Sequence, residues 1–313
     1  MPTEEGNIVD RQQFMALPAA EVAALARARR PALSVGFPLN GSRRWYALRR
    51  LAGILPDAPE SAGDPFTPYI ETALQQQIRV HRMLYAHGVH TIVYPVFGGE
   101  LLGRGDAYNA ALLRALEHIA LHPALRAFYD ECDVQVRVYG DYARALPALG
   151  RAALLEHYAR LTDETGTHRS CRLLYGLWAE DAGDAAAQYS VDFFRRTGRA
   201  PSRDELVRSY YGTELGWLDA YIGFEKPTVF DVPLLLGPDT ALYFTVAPSL
   251  GLSAQGLRAI LYDLLYARTV DDPDTLSAGP AQLGALGAYY GARADTIIGA
   301  GDIDPELGIW RGA

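Results

Sequence analysis

The chain has 313 residues, which allows one large or two small domains, and hydrophobic residues make up 49% of it, enough for a sizeable core. Its formal net charge of −8 argues against broad nucleic-acid binding, so positive charge should matter only where it clusters. No apolar run approaches the roughly 20 residues of a membrane span, and the N-terminus lacks a charged-then-apolar signal pattern. Cys132 and Cys171 lie in apolar runs, which is typical of buried thiols in a reducing compartment. We therefore expect a cytoplasmic protein with no membrane span and no nucleic-acid partner.

Short apolar runs separated by helical patterns recur along the chain. The strand-like runs are Ala32–Phe37, His90–Phe97, Val134–Tyr139, Cys171–Trp178, Ala220–Phe224 and Ala241–Ala247. Most are continuously apolar, as expected for parallel strands that are buried on both faces. The clearest helical patterns are Tyr69–His87, Ala107–Leu121, Ser202–Tyr211 and Ser253–Arg268. This alternation predicts an α/β fold, a single domain whose central, mostly parallel six-stranded sheet is flanked by helices.

The stretch from Phe37 to Trp45 reads FPLNGSRRW and begins where the first predicted strand ends. Backbone N–H groups in a Gly-Ser turn, together with the guanidinium groups of Arg43 and Arg44, form a receptor suited to a diphosphate. A solvated arginine pair in a surface loop is the alternative.

Later strand ends add residues to the same edge of the sheet, because ligands of open α/β sheets bind beyond the carboxyl ends of the strands. The ends at Phe97–Asp106, Tyr139–Pro147 and Ile222–Pro227 combine glycine, charged and aromatic residues. That mixture favours a ligand with a phosphorylated head and an apolar tail.

These motifs, taken in order, resemble the cis-prenyltransferase family, which has the undecaprenyl diphosphate synthase fold. FPLNGSRRW resembles the family's Asp-Gly-Asn-x-Arg-Trp signature, and Phe97-x-x-Glu100-x-x-x-Arg104 resembles its Phe-Ser-Thr-Glu-Asn-x-x-Arg motif. Further matches are Val138–Asp141 with Leu146-Pro147, Leu174–Gly176 and Leu242–Phe244. The resemblance covers about 33–268 and implies a helical lead-in at 1–31, a cis-prenyltransferase-like catalytic domain at 32–270 and a C-terminal extension at 271–313. With it we also expect a homodimer.

The departures from the family pattern concern the second diphosphate site. Chain-elongating members carry an Arg-x-Ser/Gly-Gly-Glu-x-Arg box for isopentenyl diphosphate, but Ile222–Asp231 reads IGFEKPTVFD and lacks the arginines. A glutamate that is a magnesium ligand in the family is replaced by Thr240-Ala241. A subgroup shares these departures, the diterpene synthases related to tuberculosinol synthase and kolavelool synthase, and Leu242–Ser249 is its long and specific match. Its members act on bicyclic diterpene diphosphates that a partner enzyme has already cyclised.

The resemblance assigns catalytic roles to Tyr69 and Tyr108, and we add Arg44 and Asn40. Asn40 stands where the family has aspartate, and an amide is neither a carboxylate ligand nor a general base at neutral pH. If Mg²⁺ takes part, we expect the substrate diphosphate to hold it, and its protein ligands stay unknown. The predicted substrate-binding residues are Gly41, Ser42, Arg43, Arg44, Trp45, Phe97, Arg104, Asp106, Tyr139 and Phe224.

The combined prediction is a terpene synthase. It would ionise a bicyclic diterpenyl diphosphate made by a separate class II cyclase, release diphosphate and quench the allylic cation with water to give a diterpene alcohol. Adenosine stays open as another acceptor. The alternatives are a chain-elongating cis-prenyltransferase and a non-catalytic partner subunit of that fold.

Three other sequence patterns bear on possible functional sites. His118 and His122 share a helix face at the spacing of a zinc pair, but the sequence shows no third ligand. Asp271–Asp274 resembles the Asp-rich magnesium box of helical terpene synthases, yet Pro273 predicts a loop, and we assign it no function. The stretch Leu55–Pro68, rich in Pro, Gly and Asp, is a candidate lid because it follows the arginine pair.

Overall fold

The computed structural model describes residues 10–55, 66–99, 106–180, 182–269 and 275–312, with the backbone alone at 106–108. The helices are α1 Arg11–Ala16, α2 Ala19–Arg29, α3 Ser42–Leu51, α4 Phe66–Ala86, α5 Asp106–Leu121, α6 Pro123–Glu131, α7 Tyr142–Ala148, α8 Ala153–Glu164, α9 Gly183–Thr197, α10 Arg203–Tyr211, α11 Ala254–Leu265 and α12 Pro280–Gly291. The strands are β1 Ser34–Gly36, β2 Thr91–Phe97, β3 Val134–Tyr139, β4 Cys171–Leu177, β5 Ala220–Phe224, β6 Ala241–Thr245, β7 Gly301–Asp304 and β8 Ile309–Gly312.

In the described part of the chain, β1 to β6 form one sheet in the order β3-β4-β2-β1-β5-β6, and every neighbouring pair is parallel. The α/β prediction is therefore confirmed. Three strands end earlier than expected, and β4 stops at Leu177, one residue before the predicted end. β1 stops at Gly36, although Phe37 and Leu39 still donate backbone hydrogen bonds to the β2 strand. β6 stops at Thr245, whose hydroxyl turns to donate to the carbonyl of Ala247 at 2.7 Å.

Side chains alternate between the two faces of the sheet, as the pleat of a strand requires. On one face, Ile92, Tyr94 and Ile222 join a core that includes residues of α4, α6 and α11. On the other face, Val93 and Tyr221 pack with residues of α10. Both faces are covered, which explains why the strands read as continuous apolar runs.

Helix boundaries follow the expected local chemistry. The capping box at the start of α10 is present, because Ser202 accepts from the Glu205 N–H and Glu205 accepts from the Ser202 N–H. α4 ends just before Gly88, whose φ is +98°. α11 ends at Leu265 rather than at Arg268, because Ala267–Thr269 form a short 3₁₀ turn.

The two terminal segments differ in how they pack. In the N-terminal segment, Phe14, Val22 and Ala26 are fully buried in the same core as the strands. In the C-terminal segment, α12 contributes no buried residue, and β7 and β8 pair as an antiparallel hairpin. Most of the loop 55–68 and Asp271–Asp274 lie outside the described residues. Of the helices that the structure describes, none is long and apolar enough to cross a membrane.

Candidate active site

A cavity of about 730 Å³ opens at the carboxyl ends of β1, β2 and β5. This position is the one expected for a ligand site in an open α/β sheet, and the volume lies within the range of about 300–1,000 Å³ that is usual for small-molecule pockets. Its walls come from the loop after β1, the N-terminus of α3, and the ends of β2 and β5. The lining residues are Leu39, Asn40, Gly41, Ser42, Arg43, Arg44, Tyr69, Pro95, Val96, Phe97, Gly98, Leu112, Phe224, Glu225, Phe230 and Asp231.

The first turn of α3 lines this cavity, and it is the end of the helix whose N–H groups have no carbonyl partner within the helix. Gly41 caps the helix with φ +69°, and a Cβ on it would lie 2.6 Å from the Phe224 ring, so the position requires glycine. The helix begins with the Trp45 N–H donating to the Gly41 carbonyl at 3.0 Å, and its first turn holds no acidic residue. The positive end of the helix dipole is therefore available to an anion in the cavity.

Arg43 and Arg44 add positive charge to the same wall. Arg44 Nη1 donates to Glu225 Oε1 at 2.9 Å, and its Nη2 donates to the carbonyl of Gly308 at 3.1 Å. Glu225 Oε1 also accepts from the Trp310 N–H at 3.0 Å. The β7–β8 hairpin thus contacts the predicted diphosphate receptor, although its short strands and their polar residues carried no signal for such contact in the sequence.

Glu225 and Asp231 are the two acidic residues that line the cavity. The backbone of each lies in the left-handed region, with φ of +62° and +58°. Such a conformation costs about 1 kcal/mol or more for a non-glycine residue and persists where surrounding contacts enforce it. For Asp231 one such contact comes from Tyr139, whose hydroxyl donates to the Asp231 carbonyl at 2.8 Å. Sequence reasoning did not single out either carboxylate as a site residue. The left-handed backbone at both positions is a signal that only the structure gives.

Tyr69 lies beside the N-terminus of α3. Its hydroxyl and the hydroxyl of Ser42 are 2.7 Å apart and share a hydrogen bond. The ring of Tyr46 contacts the Tyr69 ring edge-on, with the centroids 5.5 Å apart. The phenol is therefore held against the first turn of α3.

A narrower apolar cavity of about 90 Å³ adjoins the large one, and both are lined by Leu39, Tyr69, Val96, Phe97 and Leu112. It runs between α4 and α5, with walls that include Ile70, Ala73, Leu74, Leu116 and Ile119. The site thus joins a receptor for an anion to an apolar channel, which suits an amphiphilic ligand.

The channel has polar groups along one side that stay uncharged. Gln77 Nε2 donates to the Tyr175 hydroxyl at 3.2 Å, and the hydroxyls of Tyr175 and Tyr129 are 2.9 Å apart. Burial raises the pKa values of Tyr129 and Tyr175 well above the usual range, so both phenols are neutral.

Most of the predicted site residues that the structure describes line the large cavity: Asn40, Gly41, Ser42, Arg43, Arg44, Tyr69, Phe97 and Phe224. Trp45 and Tyr139 do not. Trp45 is only 6% exposed and packs with Ala73 and Leu250 without lining the cavity. Tyr139 is buried on the sheet face that packs with α10. It contacts the cavity wall through its hydrogen bond to the Asp231 carbonyl. Arg104 and the side chains of Asp106 and Tyr108 lie outside the described residues.

Asn40 is held by its backbone. Its N–H donates to Ser249 Oγ at 2.9 Å, and its carbonyl accepts from the Ser249 hydroxyl and N–H at 2.8 and 3.1 Å. Ser249 ends the stretch Leu242–Ser249 that the sequence marked as specific, so this stretch has a role in positioning the loop after β1. The hydrogen-bonded backbone thus fixes Asn40 in the cavity wall.

The fold is similar to that of lavandulyl diphosphate synthase from Lavandula x intermedia, solved in complex with dimethylallyl diphosphate. The TM-score is 0.55 at 14% identity, covering 78% of this chain and 96% of that chain. A probable undecaprenyl diphosphate synthase from Campylobacter jejuni has a TM-score of 0.49 at 10% identity, covering 77% and 96%. The fold is that of a cis-prenyltransferase-like protein, as the motifs predicted.

A closer sequence relative is tuberculosinyl adenosine transferase from Mycobacterium tuberculosis (strain CDC 1551 / Oshkosh). It is 36% identical over 306 residues, which cover 97% of this chain and 98% of that protein. No family model matches the chain. The chain belongs to the cis-prenyltransferase-like family of which tuberculosinyl adenosine transferase is a member.

Proposed function

We propose that this chain is an enzyme that ionises an allylic diterpenyl diphosphate, with a bicyclic substrate as the predicted class. One observation carries the proposal: the N-terminus of α3, with Gly41, Arg43 and Arg44, opens into a cavity that continues as an apolar channel between α4 and α5. The relative's name, tuberculosinyl adenosine transferase, supports a transfer reaction of this kind.

The first step breaks the C–O bond of the substrate, and its electron pair leaves with the diphosphate. The N–H groups at the start of α3 and the guanidinium groups of Arg43 and Arg44 stabilise the charge that develops there. The allylic cation stays beside Tyr69, Phe97 and Phe224, whose π faces favour a cation and whose bulk excludes water.

In the second step a water oxygen bonds to the cation and gives the diterpene alcohol. The proton of the attacking water passes to the released diphosphate. A phenol with a pKa near 10 is a poor base, so Tyr69 orients the water through the hydrogen-bonded pair that it forms with Ser42. Tyr108 shares this role by family resemblance.

Arg44 changes partner during this cycle. Without substrate it is paired with Glu225, whose carboxylate is 15% exposed, and with the Gly308 carbonyl. A diphosphate oxygen competes with both for the same guanidinium fork. Binding of substrate therefore loosens the hold of the C-terminal hairpin on the cavity.

The missing arginines of Ile222–Asp231 argue against chain elongation, because elongating members hold the second diphosphate with the arginines of that box. We expect no incorporation of labelled isopentenyl diphosphate into longer products. Elongated polyprenyl diphosphates in that assay would favour the chain-elongating alternative.

The cavity fits a Mg²⁺ ion that is held mainly by substrate. Glu225 is engaged by Arg44 and Trp310, and Asn40 and Asp231, which also line the wall, could each contribute an oxygen ligand. Mg²⁺ commonly binds through one or two protein oxygens together with phosphate and water. When bound, it would neutralise part of the leaving-group charge.

Adenosine is the second candidate acceptor, and the name of the relative supports it. In that case a nitrogen of the nucleoside, instead of a water oxygen, bonds to the allylic carbon. A separate class II cyclase as the source of substrate and a homodimer remain part of the proposal.

The decisive assay is incubation with linear and bicyclic diterpenyl diphosphates, with and without adenosine, followed by identification of the products. We expect diphosphate release and a diterpene alcohol from a bicyclic substrate. Formation of a prenylated adenosine would identify adenosine, instead of water, as the acceptor. Absence of turnover with every substrate, from a folded protein, would contradict the proposal and favour the non-catalytic alternative.

A further inference from the structure

A group of three potential metal-ligand side chains lies beside the apolar channel, and one of them, His118, lines it. It consists of Glu71 on α4, His118 on α5, and His122 in the turn between α5 and α6, and we name it the Glu71 cluster. Glu71 supplies the third ligand that the sequence pattern of His118 and His122 lacked. One candidate ligand atom from each of the three side chains lies within 4.8 Å of the others.

The separations come close to those of a tetrahedral zinc site. His122 Nε2 is 3.1 Å from Glu71 Oε2, and His118 Nε2 is 3.9 Å from Glu71 Oε1. Ligands at about 2.0–2.1 Å from a tetrahedral ion lie about 3.3–3.4 Å from one another. Side-chain movements of about 1 Å would therefore bring all three atoms onto one ion.

We propose that Glu71, His118 and His122 bind a divalent transition-metal ion of the Zn²⁺ class, with the fourth ligand position open to water. Two imidazoles and one carboxylate are a donor set that suits Zn²⁺. The three side chains are 44%, 26% and 17% exposed, so an ion can reach them from solvent.

Proton positions in the metal-free protein define what binding must change. His122 Nδ1 accepts from the Ala124 N–H at 3.2 Å, so Nε2 carries the proton and donates to Glu71. Coordination through Nε2 moves that proton to Nδ1 and gives up the contact from Ala124. His118 Nδ1 is buried without a hydrogen-bond partner, so the other imidazole has no such contact to lose.

The position of the cluster gives the ion a structural consequence. Glu71 belongs to α4 and His118 to α5, the two helices between which the apolar channel runs, and His118 itself lines that channel. An ion on the Glu71 cluster would cross-link these helices and raise the free energy of unfolding, because a ligand that binds only the folded state stabilises it.

The test is titration of the untagged, chelator-treated full chain with Co²⁺ and then Zn²⁺. We expect one Co²⁺ per chain with the visible absorption of a four-coordinate ion, displacement by Zn²⁺, and a higher midpoint of thermal unfolding with metal. Glu71→Gln, which keeps the side-chain shape, and His118→Ala should each weaken binding at least about tenfold.

The matched control is His168→Ala. His168 is a half-buried histidine between α8 and β4, with Nδ1 3.0 Å from the Val134 carbonyl, far along the chain from the cluster. This variant should bind Co²⁺ as the unchanged protein does. Absence of stoichiometric Co²⁺ binding, or binding that Glu71→Gln and His118→Ala leave intact, would overturn the proposal and leave a simple His122–Glu71 hydrogen bond.

Discussion

Replacement of Arg44 by alanine tests the anion receptor most selectively. The Arg44 side chain is 39% exposed, so its ion pair with Glu225 contributes no more than about 1 kcal/mol to folding stability. Loss of a charge-assisted donor to a leaving diphosphate costs about 2–4 kcal/mol of transition-state stabilisation. At about 1.36 kcal/mol per tenfold, we expect kcat/KM to fall about 30- to 1,000-fold while the thermal midpoint changes little.

The assay is release of inorganic diphosphate from a bicyclic diterpenyl diphosphate, with thermal unfolding measured on the same samples. Arg44→Lys keeps the charge but loses the planar fork, so its rate should fall between those of the alanine variant and the unchanged protein. Arg49→Ala is the matched control, because Arg49 lies on the same helix over the Trp45 ring at 5.3 Å and does not line the large cavity. A rate for Arg44→Ala within about threefold of the Arg49→Ala rate would refute the reasoning.

Tyr69→Phe keeps the ring but removes the hydroxyl that bonds to Ser42, so kcat should fall about 10- to 100-fold while thermal stability stays unchanged. An unaltered kcat would exclude a role of this hydroxyl in orienting water. Because Asn40 is an amide, EDTA should reduce the rate of product formation by the unchanged protein only slightly. The Asn40→Asp variant should depend on metal, since its carboxylate repels a bare diphosphate. Equal inhibition of both proteins by EDTA would contradict this. Burial lowers the pKa of His81 to about 3, so below its unfolded value of 6.5 the unfolded chain takes up a proton that the folded protein does not. The free energy of unfolding should therefore decrease as the pH is lowered, by about 2 kcal/mol at pH 5. Urea unfolding at pH 7 and at pH 5 should show that loss in the unchanged protein but not in His81→Leu.

The sheet and the grouping of Gly41 with Arg43 and Arg44 at a strand end were predictable because their signals are local. Continuous apolar runs require parallel strands covered on both faces, and Gly41 beside Arg43 and Arg44 at a strand end predicts an anion site without any knowledge of distant contacts. The structure then places Gly41 through Arg44 on one cavity wall. Asn40 on the same wall depends on a partner, Ser249, that lies 209 positions away.

The features that sequence reasoning missed depend on rotation and on long-range pairing. Successive side chains on a helix are rotated by about 100°, so Trp45 packs on Ala73 and Leu250 although Arg44 beside it lines the cavity wall. Glu71 and His118 meet only because α4 and α5 pack side by side. The contact of Gly308 with Arg44 joins residues 264 positions apart, and no local pattern reports such a pairing.

The central claim is that the substrate C–O bond breaks with charge leaving on the diphosphate. Turnover of a bicyclic diterpenyl diphosphate in H₂¹⁸O, without adenosine, tests it directly by mass spectrometry of both products. We predict ¹⁸O in the diterpene alcohol and none in the released diphosphate. Unlabelled alcohol together with ¹⁸O in the phosphate product would show cleavage of the P–O bond and contradict the account.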